Sequence, residues 1–258
     1  MKLAAKLASP LAAILLLHSS AAIANRCTAT SGPQRVALLE LYTSEGCDSC
    51  PPADRWTSAL PARGFGAARV VTLAYHVDYW NYLGWKDPFA QALFTERQRF
   101  TNTRIRNRTI YTPQLMLDGK DYRAGLSLSD FQQRITTANN EKPGADISLS
   151  LIGNAAAAET SARVTLHRKE PGASVFLALY ENNLANQVTA GENKGKRLAH
   201  DFVVRALAGP FAIDGRAVVQ HSFALAPSWK TRDLHVAAFV QTASTGEVLQ
   251  AVALPWCG

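Results

Sequence analysis

Two cysteines three positions apart, Cys47 and Cys50 in "SEGCDSCPPAD", are the residues of this chain with the most chemistry open to them. A Cys-x-x-Cys pair can hold a disulfide, exchange that disulfide with another thiol, or offer two soft donors to a metal ion. The flanking residues bear on the choice. Pro51 and Pro52 follow directly; proline is tolerated only in the first helical turn, so a helix either begins near Pro51 with Cys50 as its cap or starts strained. Asp48 sits between the cysteines and Glu45 just before them, and a carboxylate beside a thiolate disfavours its charge. The disulfide is thereby favoured over the dithiol, which suits a reductant or a stable bridge better than an oxidant. His76 and Asp78, two apart at the end of an apolar run, would share one strand face and are candidates for proton transfer.

Redox compartment decides how such cysteines are used. The chain opens with two lysines, an apolar run around Leu11 to Leu17 and Ala22-Ile23-Ala24, the form of a secretory leader over residues 1–24. No later stretch approaches about 18 uninterrupted apolar residues, so export to the periplasm or the medium, without stable membrane insertion, is expected. Disulfides persist there. Cys27 and Cys257 lie near the two ends of the mature chain, which argues for a structural Cys27–Cys257 bridge beside Cys47–Cys50 among the three possible pairings. Removing the leader takes away Lys2 and Lys6 and no acid, lowering the formal charge of +7 by two. The field is mild, and the one basic run, Arg97 to Arg108, reads as a solvated or internally paired face. Nucleic acid is excluded as a partner.

Around the cysteines, "VALLELYT", "PPADRWTSALPARG", "RVVTLAYHVDYW", "PFAQALFTERQRFTN", "TPQLMLDG" and "SLSDFQQRITTANN" alternate strand-like and helix-like patterns, which implies crossover connections and a partly parallel sheet. Ser127 or Ser129 would cap the last helix, and Asp118-Gly119 a hairpin turn. After the "NNEKPGA" linker, some seven short runs separated by Gly, Asn and Pro read as β only. The expectation from this pattern is an α/β domain over residues 25–142 followed by an all-β sandwich-like domain over 143–258.

A Cys-x-x-Cys past the first strand, with Thr112-Pro113 ahead of a later one, resembles the thioredoxin arrangement, in which a cis proline faces the cysteines and aligns a substrate backbone. Thr112 and Pro113 are therefore expected to bind substrate. More specifically, "ELYTSEGCDSCPPAD", "AYHVDYWNYLGWKDPF", Arg97-Gln98, "YTPQ" and "GENKGKRL" resemble the DUF1223 family. That resemblance implies an exported protein with a thioredoxin-like domain and no established activity. The preferred reading is a thiol–disulfide oxidoreductase acting on protein or small-molecule thiols and disulfides, with Cys47 attacking, Cys50 resolving, and no cofactor or resident metal. Two alternatives remain open: a Cu(I) module using Cys47, Cys50 and His76, and a binding protein braced by a structural disulfide. Tyr79, Trp80, Tyr82 and Trp85 read as packing under a loop, and Asn193 with the glycines of "GENKG" as a turn. Nothing in the sequence bears on oligomeric state.

Overall fold

The computed structural model describes residues 26–257; the leader assigned to residues 1–24 lies outside them. The strands are β1 (Arg26–Thr30), β2 (Ala37–Thr43), β3 (Val70–His76), β4 (Gln114–Leu117), β5 (Lys120–Asp121), β6 (Ala145–Gly153), β7 (Ala157–Leu166), β8 (Ser174–Glu181), β9 (Leu184–Gln187), β10 (Arg197–His200), β11 (Val203–Ala212), β12 (Arg216–Ala224), β13 (Leu234–Gln241) and β14 (Val248–Pro255). Three α-helices join them: α1 (Pro51–Ser58), α2 (Ala92–Arg104) and α3 (Leu128–Asn140).

Eight strands form one sheet in the order β14-β13-β8-β11-β3-β2-β4-β5. β2 and β3 are parallel and in register from Ala37↔Val70 to Thr43↔His76, and β4 runs antiparallel to β2. The sheet does not stop at β3. β11 joins it in parallel through Val203↔Ala74, and β8, β13 and β14 continue it antiparallel. A second sheet, β1-β6-β7-β12, packs on one part of this large sheet, and β9 and β10 form a separate hairpin.

This topology corrects the expected thioredoxin-like α/β domain followed by an all-β sandwich-like domain. The molecule is mostly β, with fourteen strands in three sheets against three α-helices among the described residues, and nothing in it shows a thioredoxin-like fold. The physical reason lies in strands such as β8, "SVFLALYE", and β13, "LHVAAFVQ", which are buried almost end to end. A strand with both faces covered belongs inside a large layered sheet. Odd positions of β8 (Val175, Leu177, Leu179) pack against the second sheet through Ile147, Leu149 and Val164. Even positions (Phe176, Ala178, Tyr180) join Tyr42, Tyr75 and Phe94 on the opposite face, which α2 covers. α1 and α3 cover the other end of the first face, through Trp56, Phe131 and Ile135 against Leu39 and Leu41.

Several local expectations correspond to observed structure. Ser127 caps α3, its hydroxyl accepting from the Asp130 N–H. Asp118 and Gly119 both take positive φ, +50° and +76°, in the turn between β4 and β5, as a two-residue hairpin turn requires. Asn139 and Asn140 end α3, and Ala145 begins β6. Within the basic run, Arg97 is internally paired: its Nε donates to Glu40 Oε1 at 2.8 Å, under the rings of Phe176 and Phe239. Both disulfides are present, Cys27–Cys257 with Cα atoms 6.0 Å apart and Cys47–Cys50 with Cα atoms 5.5 Å apart. No helix among the described residues is long and apolar enough to cross a membrane.

Candidate functional site

The carboxyl ends of β2 and β3, the first turn of α1 and the β9–β10 hairpin meet at one place. β2 ends at Thr43, and the chain turns through Ser44-Glu45-Gly46 into the cysteine segment. There the Cys47 N–H donates to Ser44 O, and the Cys50 N–H to Cys47 O. α1 begins at Pro51 with Cys50 as its N-cap residue. Cys50 lies in the right-handed helical region (φ −77°, ψ −40°) despite the proline after it, and its carbonyl accepts from the Ala53 and Asp54 N–H groups. Two prolines in the first turn sacrifice no helical hydrogen bond, because those N–H groups would have had no partner.

Both cysteines are fully buried, while Asp48 and Ser49 between them are exposed. The cover comes from the tip of the β9–β10 hairpin. Asn193 Nδ2 donates to Glu45 O at 2.9 Å and to Cys47 O at 2.8 Å, and the Asp48 N–H donates to Glu192 Oε2 at 3.0 Å. Asn193 is thus the turn residue expected from "GENKG" and also the clamp on the cysteine segment. Gly46 is required by close approach: a Cβ there would lie 2.9 Å from Trp80 Cβ. The Ser49 and Cys47 side chains are within 3.3 Å, Oγ to Sγ.

Beside the exposed Ser49 runs an open groove lined by Pro52, Ala53, Tyr111, Pro113 and Tyr122. The Thr112-Pro113 peptide is cis, and Thr112 Oγ1 accepts from Trp80 Nε1 at 2.7 Å. Pro113 and the cysteine loop therefore border one groove. Of the remaining aromatics, Trp85 reaches Glu45, whereas Tyr82 is exposed.

His76 and Asp78 are not paired with each other. Asp78 accepts from Thr95 Oγ1 at 2.6 Å. His76 is buried, with Nδ1 2.7 Å from Asp87 Oδ2. Burial opposes the charged form of Asp87, but His76 and the backbone N–H groups of Glu45 and Phe89 outweigh it and hold the carboxyl below its ordinary range. Glu45 is also buried and accepts from Trp85 Nε1, Asn186 Nδ2 and His200 Nε2 at 2.9, 2.9 and 3.0 Å. Its carboxylate is thus engaged by these donors. Burial works against a charge on His200, yet the carboxylates of Asp54 and Glu45 push its pKa up to about 10.

One donor set among the described residues has the spacing of a metal site. One ligand atom each from Asp54, His76 and His200 lie within 4.8 Å of one another, and all three residues are buried. Thr43 Oγ1 donates to Asp54 Oδ2 at 3.1 Å. Cys47 and Cys50 are bonded to each other and are not part of this group. His200, Asp54, Asp87 and Asn193 were not legible as a cluster in the sequence. Asp54 falls four residues after Cys50 and His200 ends the "GENKGKRLAH" stretch, but no fixed spacing connects them.

The match to the model for "Protein of unknown function (DUF1223)" spans residues 38–241. The chain belongs to the DUF1223 family. No curated protein matches it. Among solved structures, the chain is similar to protein AGR_C_4864 from Agrobacterium tumefaciens, with a TM-score of 0.65, 27% identity, and coverage of 88% of this chain and 97% of that one. It is also similar to HBP35 of Porphyromonas gingivalis, with a TM-score of 0.66, 15% identity, and coverage of 87% and 76%. The second likeness bears on the fold alone.

Proposed function

We propose that this DUF1223 protein is exported and exchanges disulfides with protein or small-molecule thiols through Cys47 and Cys50. The observation that carries the reading is the position of the bridge. It lies at the N-terminal end of α1, with Cys50 as the N-cap residue, and Ser49 between the two cysteines lines an open groove with Pro52 and Pro113. The positive end of the helix dipole favours a thiolate at such a place, although Pro51 and Pro52 offer it no N–H donor. In the exchange, a partner thiolate attacks one sulfur, the Cys47–Cys50 bond breaks, and a mixed disulfide forms while the other cysteine leaves as thiolate. A second partner thiol then displaces the protein, leaving the partner oxidised and the chain as a dithiol; the reverse sequence reduces a partner disulfide. Cys47 is assigned the attacking role, because Ser49 Oγ stands 3.3 Å from its sulfur and can donate to a thiolate there. The exposed Asp48 carboxylate opposes that thiolate and favours a reducing poise.

A brace is the second reading, and the full burial of both cysteines favours it. Trapping separates the two. Cys50→Ser in the exported chain is expected to accumulate mixed disulfides through Cys47, resolved by non-reducing gels and mass spectrometry, whereas Cys47→Ser is expected to accumulate none. Absence of adducts with both variants decides for the brace.

A further inference from the structure

Beneath the cysteine segment lies a polar cluster that thiol exchange does not use. Asp54 comes from α1, His76 from the end of β3 and His200 from the end of β10. Their rings and carboxylate converge: the two imidazole centroids are 4.9 Å apart at 81°, and His200 Nδ1 is 3.8 Å from Asp54 Oδ1. Each imidazole is held from behind by a different carboxylate, His76 Nδ1 by Asp87 and His200 Nε2 by Glu45. That leaves His76 Nε2 and His200 Nδ1, both buried and both without a hydrogen-bond partner.

Leaving a buried imidazole nitrogen without a partner is unfavourable, and two in one cluster need a reason. A carboxylate behind each histidine anchors one ring nitrogen and presents the other inward, the arrangement found behind metal-ligating histidines, and a cation bound there would displace any proton that nitrogen carries. The charges point the same way. Three carboxylates, Glu45, Asp54 and Asp87, are buried around two imidazoles. A proton on His200 would answer part of that charge, but Asp54 at 3.8 Å is beyond hydrogen-bond reach, and His76 Nε2 would remain unpartnered.

We propose that Asp54, His76 and His200 bind a divalent first-row transition cation through Asp54 Oδ1, His76 Nε2 and His200 Nδ1. Two imidazoles and one carboxylate suit Zn²⁺, Fe²⁺ or Co²⁺ and leave coordination positions open for water or a small ligand. Metal–ligand bonds of about 2.0–2.2 Å would place tetrahedral donors roughly 3.4 Å apart, so the side chains must draw in by about an ångström. Phe89 lies against both imidazoles, at 5.2 and 5.8 Å between centroids, and shields that side.

The test uses the mature, fully oxidised chain stripped with chelator, in which the bridged cysteines cannot ligate. Titration with Zn²⁺ by calorimetry, and with Co²⁺ by visible absorption, is expected to show one equivalent per chain at micromolar affinity or tighter. Asp54→Asn and His76→Gln are each expected to weaken binding at least tenfold, and Asp87→Asn, which holds His76 without itself reaching the ion, by about 10- to 100-fold. His167→Ala removes the exposed histidine beside Asp146 and is expected to leave binding unchanged. A rise in the wild-type melting temperature with Zn²⁺ provides a readout that needs no variant. Sub-stoichiometric binding by the wild type, or equal binding by wild type and the Asp54 and His76 variants, overturns the site.

Discussion

At the scale of single residues, one asparagine holds the hairpin tip on the segment that carries the buried bridge. Asn193 Nδ2 donates to two carbonyls of the cysteine segment, Glu45 O and Cys47 O. Asn193→Ala removes the side-chain donor to Glu45 O and leaves Cys47 O with the Cys50 N–H alone, at a cost of about 1–3 kcal/mol. The rate at which dithiothreitol reduces the Cys47–Cys50 bridge is therefore expected to rise by roughly fivefold to a hundredfold, read by alkylation of freed thiols and mass spectrometry. An unchanged rate would mean that the hairpin tip is not the barrier. The cysteine pair itself was legible in the sequence because its spacing is local and few roles need it. The buried partners were not: Glu45 reads as an ordinary acid next to Cys47, and nothing in "RLAH" announces that His200 meets Glu45 across 155 positions of chain.

At the scale of elements, strands were legible one by one and their neighbours were not. "VALLELYT" and "LHVAAFVQ" both read as apolar strands, but a strand's hydrogen-bonding edges carry no side-chain label, so the joining of β11 to β3 could not be read from pattern. The pairing of β13 with β8 has a measurable consequence. It stacks His235 on Tyr180, with ring centroids 5.0 Å apart. Burial there lowers the His235 pKa, and Asp233 offsets this only in part. The folded chain accordingly holds fewer protons at His235 than the unfolded chain. The stability this site contributes is complete above the unfolded pKa of about 6.5 and is lost as pH falls from there towards the lower folded value. Thermal melts at pH 8 and pH 5.5 are expected to show a larger loss for the wild type than for His235→Gln; an equal loss would place the sensitivity elsewhere.

At the scale of the whole molecule, one disulfide ties the first described strand to the segment after the last one. Cys27 on β1 is bonded to Cys257 just after β14, and β1 also pairs with β6. Closing so long a loop restricts the unfolded chain by up to about 5 kcal/mol in the chain-entropy picture. The Cys27→Ser/Cys257→Ser double variant is expected to unfold at lower denaturant with its Cys47–Cys50 bridge intact, and an unchanged midpoint would show that the strands alone hold the ends. This pairing was legible because only the terminal cysteines remained once the close pair was assigned. The change from thioredoxin-like to mostly β was not, since the texture shift near residue 142 marks a change of pattern rather than an end of the sheet. The continuity of that sheet also governs how the chain can be made. β3 finds its outer neighbour only when β11 has been synthesised, through Val203 beside Ala74. A nascent chain that has emerged only through α3 thus carries β3 with an open edge and without the partners that β8 and β13 supply to its apolar face. Such edges template association between chains, and long-range pairing is slow to form. The sheet is thus completed only by strands from the second half of the chain, and until they are made the edge of β3 is open to pairing with another copy.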